Sequence, residues 1–278
     1  MRMLALAVSG RGVVDPAQPA VFADDEGFLR GRAAFETTRV YGGVPFRLDE
    51  HLERFAKSAA RLNLPPLDRD LFRRLTSDAL AAAGEPECFV RLYMTPGREG
   101  EGEPVALVLV QALPPDLEDM RASGIRLVSM PLSQEPSLLG GVKSTSYALN
   151  MLAVDEAKRR GADDALFVGP QGTVLEGSTT NIWWRLGDVL YTPALELGIL
   201  EGVTRGALIE LASGLGHAVE VGVYPLAAVT EADEVFTSSA VREVMPVVEV
   251  DRAGIGDGSP GPVARALQQE LRRCASSS

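Results

Sequence analysis

Lys143 opens the run Lys143-Ser144-Thr145-Ser146-Tyr147-Ala148-Leu149-Asn150, and helical spacing continues over 151–160. Glu176 lies on a turn rich in Gly, Ser and Thr that runs from Gly172 through Gly177-Ser178-Thr179-Thr180 to Asn181-Ile182. A lysine amine can form a Schiff base with an aldehyde, and a carboxylate can keep a pyridine nitrogen protonated, which makes the ring an electron sink. Those two demands are the demands of pyridoxal phosphate. Each residue alone has a plainer explanation, because Lys and Glu are usually exposed. The rest of the chain has to carry the case.

A phosphate would need donors. Gly202-Val203-Thr204-Arg205-Gly206 reads as a helix start, where the Val203 and Thr204 amides and the Thr204 hydroxyl can hold an anion. Read by itself it is an ordinary threonine helix cap. Thr237-Ser238-Ser239-Ala240 offers further amide and hydroxyl donors at the end of a strand. Arg54 sits on a helix whose other face is apolar, where it is either a surface residue or an arm toward a phosphate. Arg39 and Arg91 fall inside strand patterns, and a buried charge there requires a partner. Both are candidates for a substrate carboxylate, and both have a structural ion pair as the alternative.

The elements that position these residues are legible from periodicity. After a first strand over 1–8, alternation over Phe35–Tyr41 marks a strand, and Gly42-Gly43 turns it into Val44–Leu48 as a hairpin. The stripe Leu48, Leu52, Phe55, Ala59, Leu62 makes residues 49–62 an amphipathic helix with Asp49 as its cap. A second helix spans Leu71–Ala83, and strands follow at Glu87–Thr95 and Pro104–Ala112. This is an α+β domain over residues 1–117. The Pro- and acid-rich stretch Leu113–Gly124 suggests a linker, set at 118–124. The second domain, 125–278, carries strands at Ile125–Pro131, Ala165–Val168, Thr180–Arg185, Val189–Thr192, Glu220–Pro225, Glu234–Thr237 and Val244–Val250. A loop over Ser133–Val142 leads to Lys143, and helices start near Gly202 and at Pro262.

Composition narrows the function. The 278 residues carry a net charge of -11, spread along the chain, which argues against nucleic acid as a partner. Two cysteines, Cys88 and Cys274, and two histidines, His51 and His217, form no metal-ligand pattern and suit a reducing, cytoplasmic setting. No apolar run reaches the length of a membrane span.

Taken in order, these pieces resemble the class IV, or fold-type IV, pyridoxal-phosphate aminotransferases. The resemblance rests on Phe35-Glu36-Thr37-Thr38-Arg39, His51-Leu52-Glu53-Arg54-Phe55, Lys143-Ser144 with Asn150, and the Gly172–Ile182 turn. Thr192-Pro193, Gly198 through Arg205 and Glu243-Val244-Met245-Pro246-Val247 complete it. It covers about Val21 to Leu271. The resemblance implies that Lys143 binds the cofactor aldehyde and shuttles the proton, and that Glu176 pairs with the pyridine nitrogen. It further implies that Arg54, Val203, Thr204, Ser239 and Ala240 hold the phosphate, that the second domain has a barrel-like β core, and that the protein is a homodimer.

The substrate signals are mixed. Phe35 and Arg39 resemble the branched-chain enzymes, but Phe89-Val90-Arg91-Leu92 lacks their tyrosine, and Tyr147 falls one place short of their pattern. The loop Phe236–Val244 has the length of the D-amino-acid enzymes, yet Pro96 replaces their arginine. Phe35, Arg39, Arg91 and Tyr147 are the expected substrate residues. The expected reaction is amino transfer between a D- or branched-chain amino acid, or a primary amine, and a 2-oxo acid. The alternative is a 4-amino-4-deoxychorismate lyase releasing pyruvate; a remote third is a non-catalytic binding protein of the same fold.

Overall fold

The computed structural model describes residues 2–100, 102–132 and 138–276. Two compact units divide the chain. One holds the chain through Pro114 together with Val142–Tyr147; the other holds Pro115–Gly141 and the chain from Ala148 onward.

The first unit contains β1 (Met3–Val8), β2 (Gly12–Val14), α1 (Glu26–Arg30), β3 (Ala34–Tyr41), β4 (Val44–Pro45), α2 (Leu48–Arg61), α3 (Arg69–Ala83), β5 (Cys88–Thr95) and β6 (Val105–Ala112). Its six strands form one antiparallel sheet in the order β2-β1-β6-β5-β3-β4. Strand alternation sorts the side chains onto two faces. Ala34, Val40, Val90, Leu92, Met94, Val108 and Val110 join Leu52, Phe55 and Ala59 of α2 and Phe72, Leu75 and Ala79 of α3 in one core. Phe35 and Tyr93, paired across β3 and β5, stack on the other face.

Helix α2 begins one residue earlier than its spacing predicts, and Asp49 does not cap it. The cap position is Arg47, in the left-handed region at φ 50, with no side-chain cap bond. Asp49 lies in the first turn and takes Arg73 of α3 at 2.9 Å. Asp68, by contrast, caps α3 through the Leu71 N–H.

The second unit contains α4 (Leu117–Ser123), β7 (Ile125–Pro131), α5 (Ala148–Arg159), β8 (Asp164–Val168), β9 (Val174–Gly177), β10 (Asn181–Leu186), β11 (Val189–Pro193), α6 (Val203–Gly214), β12 (Ala218–Gly222), α7 (Ala227–Thr230), β13 (Glu234–Ser239), β14 (Glu243–Val250), β15 (Ala253–Gly254) and α8 (Pro262–Ala275). Its mixed sheet has the order β12-β11-β10-β13-β14-β7-β8-β9, with β15 on β14, and curls into a half barrel. The α+β class expected from the sequence is the observed one.

Two further expectations change, and a third lies partly outside the described residues. Segment 118–124 is helix rather than linker: Glu118 and Asp119 in the first turn and Arg121 in the last suit the helix dipole, Leu117 is buried, and Gly124 ends it. The strand expected at Glu220–Pro225 sits two residues earlier, where it pairs parallel with β11. Of the loop expected over Ser133–Val142, Ser133–Ser137 lie outside the described residues.

Candidate active site

Lys143 is fixed by its main chain. Residues 143–145 lie antiparallel against the start of β3: Phe35 N–H donates to Lys143 O at 3.0 Å, and Thr145 N–H donates to Ala33 O at 2.9 Å. The Lys143 N–H donates to Ser58 Oγ of α2 at 3.1 Å. The half-buried side chain places Nζ 4.4 Å from the Phe35 ring centroid and 6.0 Å from that of Tyr147. Phe35 in turn stacks on Tyr93 at 5.6 Å and meets Tyr147 edge-on at 5.2 Å. An aromatic wall beside an amine gives an apolar substrate group a surface to pack on.

Arg39 and Arg91 lie on the Phe35 face of the sheet, at different distances along it. Arg91 is registered opposite Thr37 and Arg39 opposite Phe89. At about 3.4 Å per residue, Arg91 is roughly 7 Å along the strands from the Phe35–Tyr93 pair and Arg39 roughly 14 Å. Arg39 is buried, with its guanidinium 5.1 Å over Tyr41; Arg91 is half-buried, over Phe89 at 5.3 Å.

Arg54 occupies the opposite face. It is 8% exposed, and its Nε and Nη2 donate to the two oxygens of Glu36 at 2.7 Å each. His51 Nδ1 lies 2.9 Å from Glu36 Oε2. Burial pushes the Glu36 carboxyl up, but the charge and hydrogen bonds of Arg54, followed by those of His51, outweigh it and leave it well below its usual range. Burial likewise pushes the His51 imidazole down, and the charges of Arg54 and Lys143 act in the same direction against the pull of Glu36. His51 is therefore a neutral ring at pH 7. Sequence reasoning did not assign Glu36 or His51 to the site. Part of the signal was present: Glu36 falls in the inward phase of β3 between Ala34 and Thr38, where a carboxylate needs a partner, and His51 and Arg54 are one turn apart on α2 beside its apolar stripe.

The remaining candidates belong to the second unit. Glu176 is half-buried on β9; its Oε2 accepts the Leu200 N–H at 3.1 Å and faces Asn181 Nδ2 at 3.5 Å. Asn181 Nδ2 also donates to Leu200 O at 2.9 Å, so one amide ties the carboxylate to the segment leading into α6. The N-cap of α6 is Gly202, with no side-chain cap bond, and Val203 and Thr204 open the helix. Thr204 is thus inside the first turn and does not act as the cap. A Cβ at Gly202 would lie 2.0 Å from Asn181 Oδ1, so any other residue here would push that amide aside. Ser239 ends β13, and its hydroxyl accepts the Arg242 N–H at 3.3 Å; Ala240 follows in the turn. Thr237 Oγ1 is buried without a hydrogen-bond partner.

This donor set fits a phosphorylated pyridine: a carboxylate, a helix start free of side-chain capping, and a serine-bearing turn beside an orphaned hydroxyl. Among the described residues no group of three or more His, Cys, Asp or Glu is placed to hold a metal ion.

Comparison with known proteins shows the family. Residues 33–250 match the family Amino-transferase class IV. The chain belongs to the class IV aminotransferases. It is 33% identical to the aminodeoxychorismate lyase of Bacillus subtilis, covering 88% of this chain and 86% of the relative. A fold IV-transaminase from Curtobacterium pusillum superposes with a TM-score of 0.89 at 33% identity over 100% of both chains. The PLP-bound form of a hypothetical aminotransferase from Mycobacterium tuberculosis gives 0.91 at 28% identity over 98% of each. Fold-type IV architecture and membership of a pyridoxal-phosphate-dependent family follow for this chain.

Proposed function

We propose that this class IV aminotransferase moves an amino group between a D- or branched-chain amino acid, or a primary amine, and a 2-oxo acid, with pyridoxal 5'-phosphate as cofactor. When bound, that cofactor supplies an electrophilic aldehyde and a ring that takes up the electron pair released at the substrate carbon. Lys143 is the residue that would engage the aldehyde and then carry the proton on Nζ. Its fixed main chain and aromatic surround are the observation that carries this reading, since a proton carrier must return to one place in every cycle.

Glu176 would accept the ring N–H, held in place by Leu200 and Asn181. The Val203 and Thr204 amides, the Thr204 hydroxyl and the Ser239–Ala240 turn would donate to the phosphate. Arg54 would add positive charge, its plane set by both oxygens of Glu36. Phe35 and Tyr147 would pack on the substrate side chain. Of the two arginines, the shorter distance to Phe35 and the greater exposure favour Arg91 over Arg39 as partner of the substrate carboxylate.

The likeness to the Bacillus lyase supports a second reading, in which the same residues release pyruvate from aminodeoxychorismate. A homodimer belongs to the proposal: Leu149, Met151 and Leu152, 45 to 63% exposed at the start of α5, offer an apolar patch that a second copy would cover. A cytoplasmic location fits Cys88 and Cys274, neither of which is in a disulfide among the described residues, and no described helix is long and apolar enough to cross a membrane.

Mixing the loaded protein separately with D-alanine, L-leucine, an (R)-arylamine and aminodeoxychorismate tests the two readings. Conversion of the cofactor to its amine form by one of the first three supports the transaminase and identifies its stereochemical class. Pyruvate from aminodeoxychorismate without any oxo acid, and no conversion by the others, makes it the lyase.

A further inference from the structure

Asp164, the first residue of β8, is 1% exposed, and neither proposed reaction uses it directly. Its Oδ1 accepts the Ser178 hydroxyl at 2.5 Å and the Ala165 N–H at 2.8 Å. Its Oδ2 accepts Arg242 Nη1 at 2.6 Å. The two side-chain donors come from the two turns that matter most. Ser178 is two residues beyond Glu176, and its main chain is held as well, through its N–H to Ala165 O at 3.1 Å and its carbonyl from Asn150 Nδ2 at 2.5 Å. Arg242 closes the turn that begins with Ser239 and Ala240, and its own N–H donates to Ser239 Oγ. The chain leaves that turn through Glu243, which has left-handed backbone at φ 57 and is held by Arg121, Gln268 and Arg272.

A buried ion pair is a poor source of net stability, because the cost of removing both charges from water offsets most of their attraction. A hydroxyl and an amide would close either turn alone. What the carboxylate adds is a fixed separation: one planar group with a turn on each oxygen. We propose that Asp164 is a positioning residue that sets the Ser239–Arg242 turn, which would take the phosphate, at a fixed distance from the Glu176–Thr180 turn, which would take the ring nitrogen. This rests on the assignment of Glu176, Ser239 and Ala240 above. Both ends of one rigid ligand are then gauged by one side chain, and loosening it costs affinity only for a ligand that reaches both ends.

The test compares pyridoxal phosphate with phosphate-free pyridoxal, titrated into the full-length protein and followed by the visible absorbance of the bound form. Asp164→Asn keeps the shape and an acceptor for Ser178 but removes the charge that holds Arg242. Arg242→Met removes the same pair from its more exposed side and serves if the first variant does not fold. Each should weaken pyridoxal phosphate about tenfold or more and leave pyridoxal within about twofold. The double variant should bind no worse than the weaker single one, because the two act as a pair. Equal loss for both ligands, additive losses in the double variant, or unchanged binding would each overturn the proposal. Failure of the underlying reading looks different: the unmodified protein would then bind neither ligand, or Lys143→Ala would leave the absorbance unchanged.

Discussion

Replacing Glu36 with glutamine would leave the Arg54 cation 8% exposed beside a neutral amide, with His51 deprived of its carboxylate partner. Two charge-assisted bonds of 2.7 Å and one of 2.9 Å would be lost or weakened, all within a group that is itself fully buried. Breaking such a pair from one side costs about 3–5 kcal/mol, and glutamine, which can still accept one bond, belongs at the lower end. A loss of about 3 kcal/mol corresponds to a fall of roughly 5 °C in Tm for a chain of this size.

The assay must see the right unit. Both tryptophans, Trp183 and Trp184, are on β10 in the second unit, so far-UV circular dichroism during urea unfolding at pH 7 is the probe. The double variant Glu36→Gln/Arg54→Gln should recover part of the loss, because it no longer buries an uncompensated charge. A single variant within about 1 kcal/mol of the unmodified protein, or a double variant showing the sum of both single losses, would refute the argument. The damage would then not come from a stranded cation.

Lys143→Ala should abolish turnover and the visible absorbance of bound cofactor, and an unchanged spectrum would remove Lys143 from its assigned role. Arg54→Ala should weaken cofactor retention on dialysis and restore turnover when cofactor is in excess; retention equal to the unmodified protein would limit Arg54 to its ion pair with Glu36. His51→Gln tests the pH dependence. The native imidazole is pushed down and the unfolded one titrates near 6.5, so stability is full above that pH and falls as acid protonates the unfolded state. The variant should lose that part of the slope, up to about 1.4 kcal/mol per pH unit, and His217 is the only other histidine to confuse the result. Gly202→Ala would place a Cβ 2.0 Å from Asn181 Oδ1 and force that amide off Leu200, costing about 1–3 kcal/mol and lowering cofactor affinity; a crystal structure with Asn181 unmoved would contradict it.

The parts of the fold legible in the sequence are those with periodicity long enough to declare itself. The stripe of α2, the alternation of β3 and the apolar runs of β5, β6 and β7 each appear within a few residues of their expected bounds. Helix α1 has five residues and buries none, so it leaves no amphipathic trace. Strand β9 is four residues long and merges with the Gly- and Thr-rich turns on either side, and only its pairing with β8 makes it a strand. For the candidate site the division is sharper. Residue types and order pointed to Lys143, Glu176 and the α6 start because their chemistry is local: an amine, a carboxylate, a helix end. What holds them was not legible, because each support comes from far along the chain. Lys143 is fixed by Phe35 and Ser58, Arg54 by a strand residue eighteen positions earlier, and Asp164 by Arg242 across 78 positions. Glu36 could have been flagged as a carboxylate in the buried phase of a strand, which requires a partner, but naming the partner requires knowing which helix packs on that face. The residue types of the candidate site are legible in the sequence, and the pairings that hold them only in the folded chain.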